Sequence, residues 1–223
     1  MKDTNNTLIE NYKTISKHLT NEFEEKKSVF ITDSIHVETE KEALDFIDEI
    51  KKKYKDATHH CSAYIINENP IIKRYNDDGE PTYTAGIPIL SVLEKLDLKN
   101  IVVVVTRYFG GKELGKGGLS RAYGKACSDC LNEFIVYKKN FDLIEILFDY
   151  TNLGIIENYL LENSYYIVNK EYTDKVKITL YIDSEISQKF ISGLIELTSD
   201  NVIINSRDTI MLFYDGNKII TGV

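Results

Sequence analysis

Glycines and cations alternate between residues 106 and 125 in a way that suits phosphate binding. Five glycines fall within nine positions there, and five lysine or arginine side chains accompany them, with Glu113 the single acid. This segment carries a charge of +4 in a chain whose net charge is -8. Glycines allow a backbone to approach a ligand closely, and the helix start that follows presents free N–H groups to an anion. The candidate phosphate- or RNA-binding residues are Arg107, Tyr108, Gly110, Gly111, Lys112, Gly115, Lys116, Gly117, Gly118, Arg121 and Lys125.

The same glycines have a second interpretation, a tight connection between a strand and a helix. Neither nucleotide-binding motif is present, because both G-x-x-x-x-G-K-[ST] and G-x-G-x-x-G are missing. Tyr108 and Phe109 beside the cations suit either base stacking or a packing lid. The sequence therefore favours a phosphate site and leaves its ligand open among RNA, a nucleotide and a metabolite.

Acids and histidines form a second group of residues that could do chemistry. The catalytic candidates are His59, His60, Asp77, Asp78 and Glu80. Arg107 ends a strand that we expect to be buried, so we predict a salt bridge to Asp77, Asp78 or Glu80. A functional acid cluster and a Mg²⁺ site are the alternatives for the three carboxylates. The two histidines precede a strand, and their side chains should point to opposite faces of it. Their roles could be hydrogen bonding, acid–base chemistry or metal binding. The interpretation that we adopt has no metal and no cofactor.

Cysteine usage argues against redox or zinc chemistry. Cys127 and Cys130 have a C-x-x-C spacing, but both fall on the apolar stripe of a predicted helix. We expect them to be buried, reduced core residues.

Composition is that of an ordinary soluble globular protein, with 223 residues of which 43% are hydrophobic. No apolar run reaches the length of a membrane span, and the amino terminus lacks the apolar stretch of a signal peptide, so we expect a cytoplasmic protein that does not associate with membranes. Up to residue 140 the chain has 21 basic and 22 acidic residues, whereas the remainder has 6 and 13. This shift predicts a domain boundary near residues 136–142, with domains at 1–139 and 140–223.

Hydrophobic patterning supplies the elements that must position these residues. The first half reads as strands and helices in alternation, with the last helix starting at an N-cap Ser120 and ending near Phe134. Predicted strands cover 28–32, 61–67, 71–75 and 101–105, and predicted helices cover 40–55 and 89–96. The second half reads as βαββαβ, the ferredoxin-like order, with strands at 143–150, 165–172, 176–182 and 202–214 and helices at 153–163 and 186–197.

A set of spaced motifs resembles the YigZ/IMPACT family. The motifs are Asp77-Asp78-Gly79-Glu80-Pro81, Thr84-Ala85-Gly86, Val104-Val105-Thr106-Arg107-Tyr108-Phe109-Gly110-Gly111, Leu114-Gly115, Gly117-Gly118-Leu119 and Arg121-Ala122-Tyr123-Gly124, with His59-His60-Cys61 before them. The resemblance spans roughly residues 12–135, and the acidic second half resembles the small domain of bacterial YigZ-type members. Tyr83 departs from the family pattern, which has glycine before Thr84.

The resemblance implies an α+β protein of two domains. The first would be similar to domain IV of elongation factor G and to ribosomal-protein folds, and the second would be ferredoxin-like. It implies a factor that associates with RNA or the ribosome and modulates translation. The basic loop would bind RNA weakly, and the acidic domain would contact a protein partner. The alternative is an enzyme, a hydrolase or transferase, that acts on a small phosphorylated or peptide-like substrate through the catalytic candidates.

Overall fold

The computed structural model describes residues 10–221, which form two compact units: a first unit of residues 12–137, and a second of residues 138–221 with residues 10–11; along the chain the main division lies between Tyr137 and Lys138. The described elements up to the division are β1 (Tyr12–Ile15), β2 (Leu19–Glu25), β3 (Ser28–His36), α1 (Glu40–Lys53), β4 (His59–Ile66), β5 (Ile72–Asn76), α2 (Gly86–Lys95), β6 (Ile101–Tyr108) and α3 (Lys116–Leu131). The chain continues through β7 (Ile135–Phe148), α4 (Leu153–Glu162), β8 (Tyr166–Tyr172), β9 (Val176–Asp183), α5 (Ser187–Thr198), β10 (Ile203–Tyr214) and β11 (Ile219–Ile220). The prediction of a mixed α+β chain with two domains is confirmed.

The first unit is built on a five-stranded sheet in the order β2-β3-β6-β4-β5. Helices α2 and α3 pack on one face with Ile101, Val103 and Val105, whereas α1 packs on the other face with Val102 and Val104. A central strand covered on both faces must be apolar at every position. This explains the unbroken run from Ile101 to Val105 and places the end of β6 at the edge of a three-layer structure.

In the second unit the strand order is β11-β10-β7-β9-β8. The sequential order βαββαβ and the spatial order of its four main strands are those of a ferredoxin-like fold. Residues of α4 and α5 pack against alternate residues of β9, namely Ile178, Leu180 and Ile182. Within residues 10–221, the opposite face of this sheet carries no helix of the unit.

Several element boundaries differ from the sequence predictions. Helix α3 begins at Lys116, so the prediction that Ser120 caps it is wrong. Gly115 adopts a φ of 72°, which turns the chain directly into the helix, and no side chain caps it. Strand β3 extends to His36 and strands β1 and β2 were not predicted, because Asp33, Ser34 and the acids of β2 interrupt the apolar alternation. Strand β7 begins eight residues before the predicted strand, at Ile135.

Both cysteines of the C-x-x-C pair are buried and free, as predicted. Burial raises the pKa of the Cys127 thiol, and it raises that of Cys130 to about 11. Both thiols are therefore protonated at neutral pH and act as small apolar core residues. None of the helices within residues 10–221 combines the length and apolar character needed to cross a membrane.

Candidate functional site

The predicted site residues gather at one end of the sheet of the first unit. Antiparallel pairing places His59, the first residue of β4, opposite Arg107 near the end of β6. Val29 of β3 pairs with Tyr108, so the turn between β2 and β3 reaches the same end. The Asp77–Gly86 loop meets this end through Glu80, which contacts Arg107. The acidic loop therefore contacts the end of β6, and the shared functional site at this place stays a prediction.

Arg107 and Glu80 form a buried ion pair at the centre of this site. The Nη1 atom of Arg107 lies 2.6 Å from Glu80 Oε1, and its Nη2 donates to Ser28 Oγ at 3.2 Å. The Tyr123 hydroxyl donates to the same Glu80 oxygen at 2.8 Å. The predicted salt bridge is confirmed, and Glu80 is the partner. The charge of Arg107 is balanced inside the protein, which distinguishes it from the exposed cations of the segment.

Asp77 organises the acidic loop and the start of α2. Its Oδ1 accepts hydrogen bonds from the backbone N–H groups of Ala85 and Gly86, and its Oδ2 accepts one from Tyr83. A carboxylate at a helix N-terminus satisfies N–H groups that have no partner within the helix. Asp77 therefore has a structural role as the cap of α2.

The neighbouring Asp78 connects the loop to β4 and α1. Its Oδ2 accepts the backbone N–H of His60 at 2.7 Å, and its Oδ1 accepts from Lys51 Nζ at 3.2 Å. Burial by itself raises the pKa of this carboxyl, but the hydrogen bonds from His60 and Lys51 outweigh it and lower the pKa below its usual value. Asp78 is therefore held ionised by its partners.

The two histidines lie on opposite faces of β4 and both contact the acidic loop. His59 Nδ1 is 2.8 Å from the carbonyl oxygen of Asp78, and its Nε2 is 4.0 Å from Glu80 Oε1. His60 donates through Nε2 to the carbonyl oxygen of Tyr54 at 3.0 Å. All five catalytic candidates are thus engaged in internal contacts. Within residues 10–221, no group of three or more His, Cys, Asp and Glu side chains is arranged to hold a metal ion.

The five glycines between residues 110 and 118 serve different purposes. A Cβ at Gly110 would lie 1.9 Å from the carbonyl oxygen of Lys27, so this glycine allows two backbones to pack together. Gly111 and Gly115 have φ values of 77° and 72°, and a Cβ at either would meet nothing within 4 Å. Glycine suits the positive φ at these two positions, and the space above the backbone there is open. Gly117 and Gly118 lie inside the first turn of α3, and Gly118 packs against Leu114.

Exposed cations surround the glycine loop and include two that the sequence reasoning missed. We define the basic surface as Lys26, Lys27, Lys112, Lys116 and Arg121, all of which are exposed. In the part of the chain that the structure describes, no carboxylate lies within salt-bridge distance of any of them; Glu25 and Glu113 are the acids in the same segments. Arg121 and Lys26 line one groove of about 150 Å³ with Lys125, whose ammonium pairs with Asp129 and lies 4.9 Å from the Phe23 ring.

The missed pair, Lys26 and Lys27, forms the turn between β2 and β3 with φ values of 50° and 69°. Two consecutive residues at positive φ mark a tight hairpin turn, for which Asn-Gly is the usual signal. Two lysines give no such signal. The contact of Lys27 with Gly110 depends on the pairing of β3 with β6 and is invisible to local patterns.

The two aromatic residues of the segment differ in exposure. Tyr108 is half-buried and donates its hydroxyl to Asp56 at 3.1 Å, whereas the Phe109 side chain is 49% exposed. The Phe109 ring centroid lies 5.4 Å from the guanidinium carbon of Arg107. Phe109 therefore covers the buried ion pair on one side and presents an aromatic surface to solvent on the other.

Comparisons with known proteins give the family context. The family model described as the Impact N-terminal domain matches residues 26–131, and a domain of unknown function (DUF1949) matches residues 146–201. The IMPACT family member YvyE of Bacillus subtilis is 44% identical over 193 residues, covering 86% of this chain and 89% of the relative. The IMPACT family member YigZ of Escherichia coli is 35% identical over 151 residues, covering 66% of this chain and 74% of the relative.

One solved structure aligns with most of the chain. A crystal structure described as that of a hypothetical protein aligns with 90% of this chain and 99% of its own, at 28% identity and a TM-score of 0.56. The structure of the two-domain translational regulator Yih1 aligns with 54% of this chain at 25% identity and a TM-score of 0.35, which is too slight to carry an argument about function.

Proposed function

This chain belongs to the IMPACT family, and from that premise we propose that it is a translation-related regulatory protein that contacts RNA or the ribosome through its basic surface. The observation that carries the proposal is the set of five exposed cations without carboxylate partners in the described chain, grouped around two glycine positions with open space above them. Phosphate groups are the ligands that such a surface suits best.

Helix α3 supports the same proposal. It has no side-chain cap and no acid in its first turn, whereas α1 has both, through Thr39, Glu40 and Glu42. An uncapped first turn offers backbone N–H groups and the positive end of the helix dipole to an anion. Lys116 at the first helical position adds a full charge beside them.

Local charge makes this binding compatible with a net charge of -8. Contacts to phosphates depend on the cations within about a Debye length, roughly 10 Å at 0.1 M salt, rather than on the whole chain. Five cations allow at most about five phosphate contacts, and each steepens the salt dependence by about one unit of slope. We therefore expect micromolar or weaker affinity for single-stranded RNA that falls steeply with salt. A protein partner for the acidic second unit remains part of this proposal.

The test is charge reversal on the basic surface. We propose a double variant of Lys112→Glu and Lys116→Glu, and a second of Lys26→Glu and Lys27→Glu. Both should abolish binding of a labelled single-stranded RNA, measured by fluorescence anisotropy at about 50 and 200 mM salt, and both should reduce co-sedimentation with ribosomes. The matched control reverses Lys52 and Lys189, two exposed lysines outside the basic surface, and gives the same net charge.

The result that would refute the RNA proposal is equal binding by the Lys112/Lys116 variant and the wild type. In that case the glycine loop is a packing device. The enzyme hypothesis has weaker support from the geometry, because His59, His60, Asp77, Asp78 and Glu80 are all engaged in contacts that hold the loop and the sheet together.

A further inference from the structure

An aromatic cleft of about 320 Å³ lies in the second unit, apart from the site described above. Five aromatic residues line it, and we define the aromatic cleft by four of them, Phe141, Tyr166, Tyr181 and Tyr214; the fifth is Tyr165. The Tyr166 and Tyr181 rings stack with centroids 6.1 Å apart, and Phe141 lies 6.0 Å from Tyr214 in a tilted arrangement. Its volume is in the range of small-molecule sites, and its lining mixes aromatic with polar residues, as such sites do.

Strand register places three of the lining rings on the face of the sheet that carries no helix of the unit within residues 10–221. Side chains of β9 alternate, and its even-numbered residues Leu180 and Ile182 face α4 and α5. Tyr181 therefore points to the other face, and so do its cross-strand partner Tyr166 on β8 and Phe141 on β7, which pairs with Asp183. Three neighbouring strands each contribute one ring.

We propose that this cleft binds a single nucleobase, as a free nucleoside or as an unpaired base of RNA. Ferredoxin-like sheets that recognise single-stranded RNA stack bases on aromatic side chains of adjacent strands on the helix-free face. Here the partly exposed rings of Tyr166 and Tyr181 lie on the second and third strands of the same βαββαβ order, and the buried Phe141 lies on the first. Stacking tolerates any base, because every base has a π-face.

Electrostatics favour recognition of the base rather than of a phosphate chain. From Phe141 onward the chain has 6 basic and 13 acidic residues, which disfavours a polyanion. The acid in the cleft, Asp183, is balanced by Lys139 at 2.6 Å, which leaves Lys218 as the single cation of the lining. The side chains of Asn163, Ser164 and Asn217 at the cleft supply neutral donors and acceptors for the edge of a base. Binding should therefore change little with salt, in contrast to the basic surface.

The test is a titration of the ¹⁵N-labelled full chain with adenosine and with a short single-stranded oligoadenylate, followed by NMR. Amides of Tyr166 and Tyr181 should shift saturably. Tyr181→Leu should weaken binding about tenfold or more, because leucine fills space without stacking. Tyr166→Phe should retain binding and Tyr166→Leu should lose it, which keeps the test valid if one tyrosine variant fails to fold. The comparison is made in the Lys112/Lys116 double variant, so that RNA contacts of the basic surface do not contribute. There, oligoadenylate binding that is more than about tenfold tighter than adenosine would identify RNA as the source of the base, and equal affinity a free nucleoside.

Tyr172→Leu is the matched control, since Tyr172 lies on β8 and is 54% exposed outside the cleft. Equal weakening by this control, or no saturable shift at millimolar adenosine, would overturn the proposal. The inference does not rest on the basic surface. The Lys112/Lys116 double variant should bind adenosine like the wild type, so failure of either proposal can be recognised separately.

Discussion

The Nη1 atom of Arg107 lies 2.6 Å from Glu80 Oε1, with both side chains buried, and this pair joins the end of β6 to the acidic loop. The hydroxyl group of Tyr123, on α3, donates a hydrogen bond to the same Glu80 oxygen. One carboxylate therefore ties a strand, a loop and a helix together beneath the basic surface. The geometry of the surface depends on this buried pair.

Removal of Glu80 should destabilise the protein strongly. Glu80→Ala leaves Arg107 buried without its counter-charge, and we expect a loss of about 3–5 kcal/mol in the free energy of unfolding. Urea unfolding followed by circular dichroism measures it. Glu113→Ala, at an exposed acid of the glycine loop, is the control and should change stability by less than about 0.5 kcal/mol. A loss of similar size in both variants would contradict the structural role of the pair.

Tyr83 occupies a backbone conformation that suits glycine, with a φ of 67° and a side chain that is 60% exposed. This explains in physical terms the glycine that we associate with the family at this position. We expect Tyr83→Gly to be more stable than Tyr83→Ala by about 1 kcal/mol, since only alanine keeps the cost of a left-handed φ. Both variants lose the contact with the Tyr75 ring, so thermal unfolding of the pair isolates the backbone effect. Equal stability would show that the strain is absent.

Asp78 should contribute to the acid sensitivity of the fold. Because its pKa is lower in the folded protein than in the unfolded chain, its contribution is fully present above the unfolded value of about 3.9 and is lost as the pH falls through the folded pKa. Asp78→Asn should reduce stability at neutral pH and flatten the decline below about pH 4. Urea midpoints measured across the acid range test this. An unchanged decline in the variant would assign the acid sensitivity to other carboxylates.

Gly110 and Gly111 should respond differently to the same substitution. Gly110→Ala places a methyl group against the backbone of Lys27, and we expect a loss of about 3 kcal/mol with displacement of the turn between β2 and β3. Gly111→Ala meets open space and should cost only about 1 kcal/mol for its positive φ. Chemical denaturation compares the two. A larger loss at Gly111 would mean that the loop packs differently.

Local patterns in the sequence predicted much of this molecule. The motifs around Arg107 identified the family, the apolar run from Ile101 to Val105 marked a strand buried on both faces, and periodicity in the second half predicted the βαββαβ order. The burial of Cys127 and Cys130 followed from their positions on one helical stripe. These features depend on neighbours within a few residues, where side-chain period and turn chemistry act directly.

Only the tertiary structure selected Glu80 from three acids as the partner of Arg107 and assigned Asp77 and Asp78 to a helix cap and a strand contact. The tertiary structure also showed that the turn of Lys26 and Lys27 lies against the glycine loop, and that α3 begins at Lys116 rather than after Ser120. Each of these outcomes depends on which strands pair and in what register. Pairing between residues tens of positions apart is decided by the packing of the whole sheet, and no local pattern in the chain encodes it.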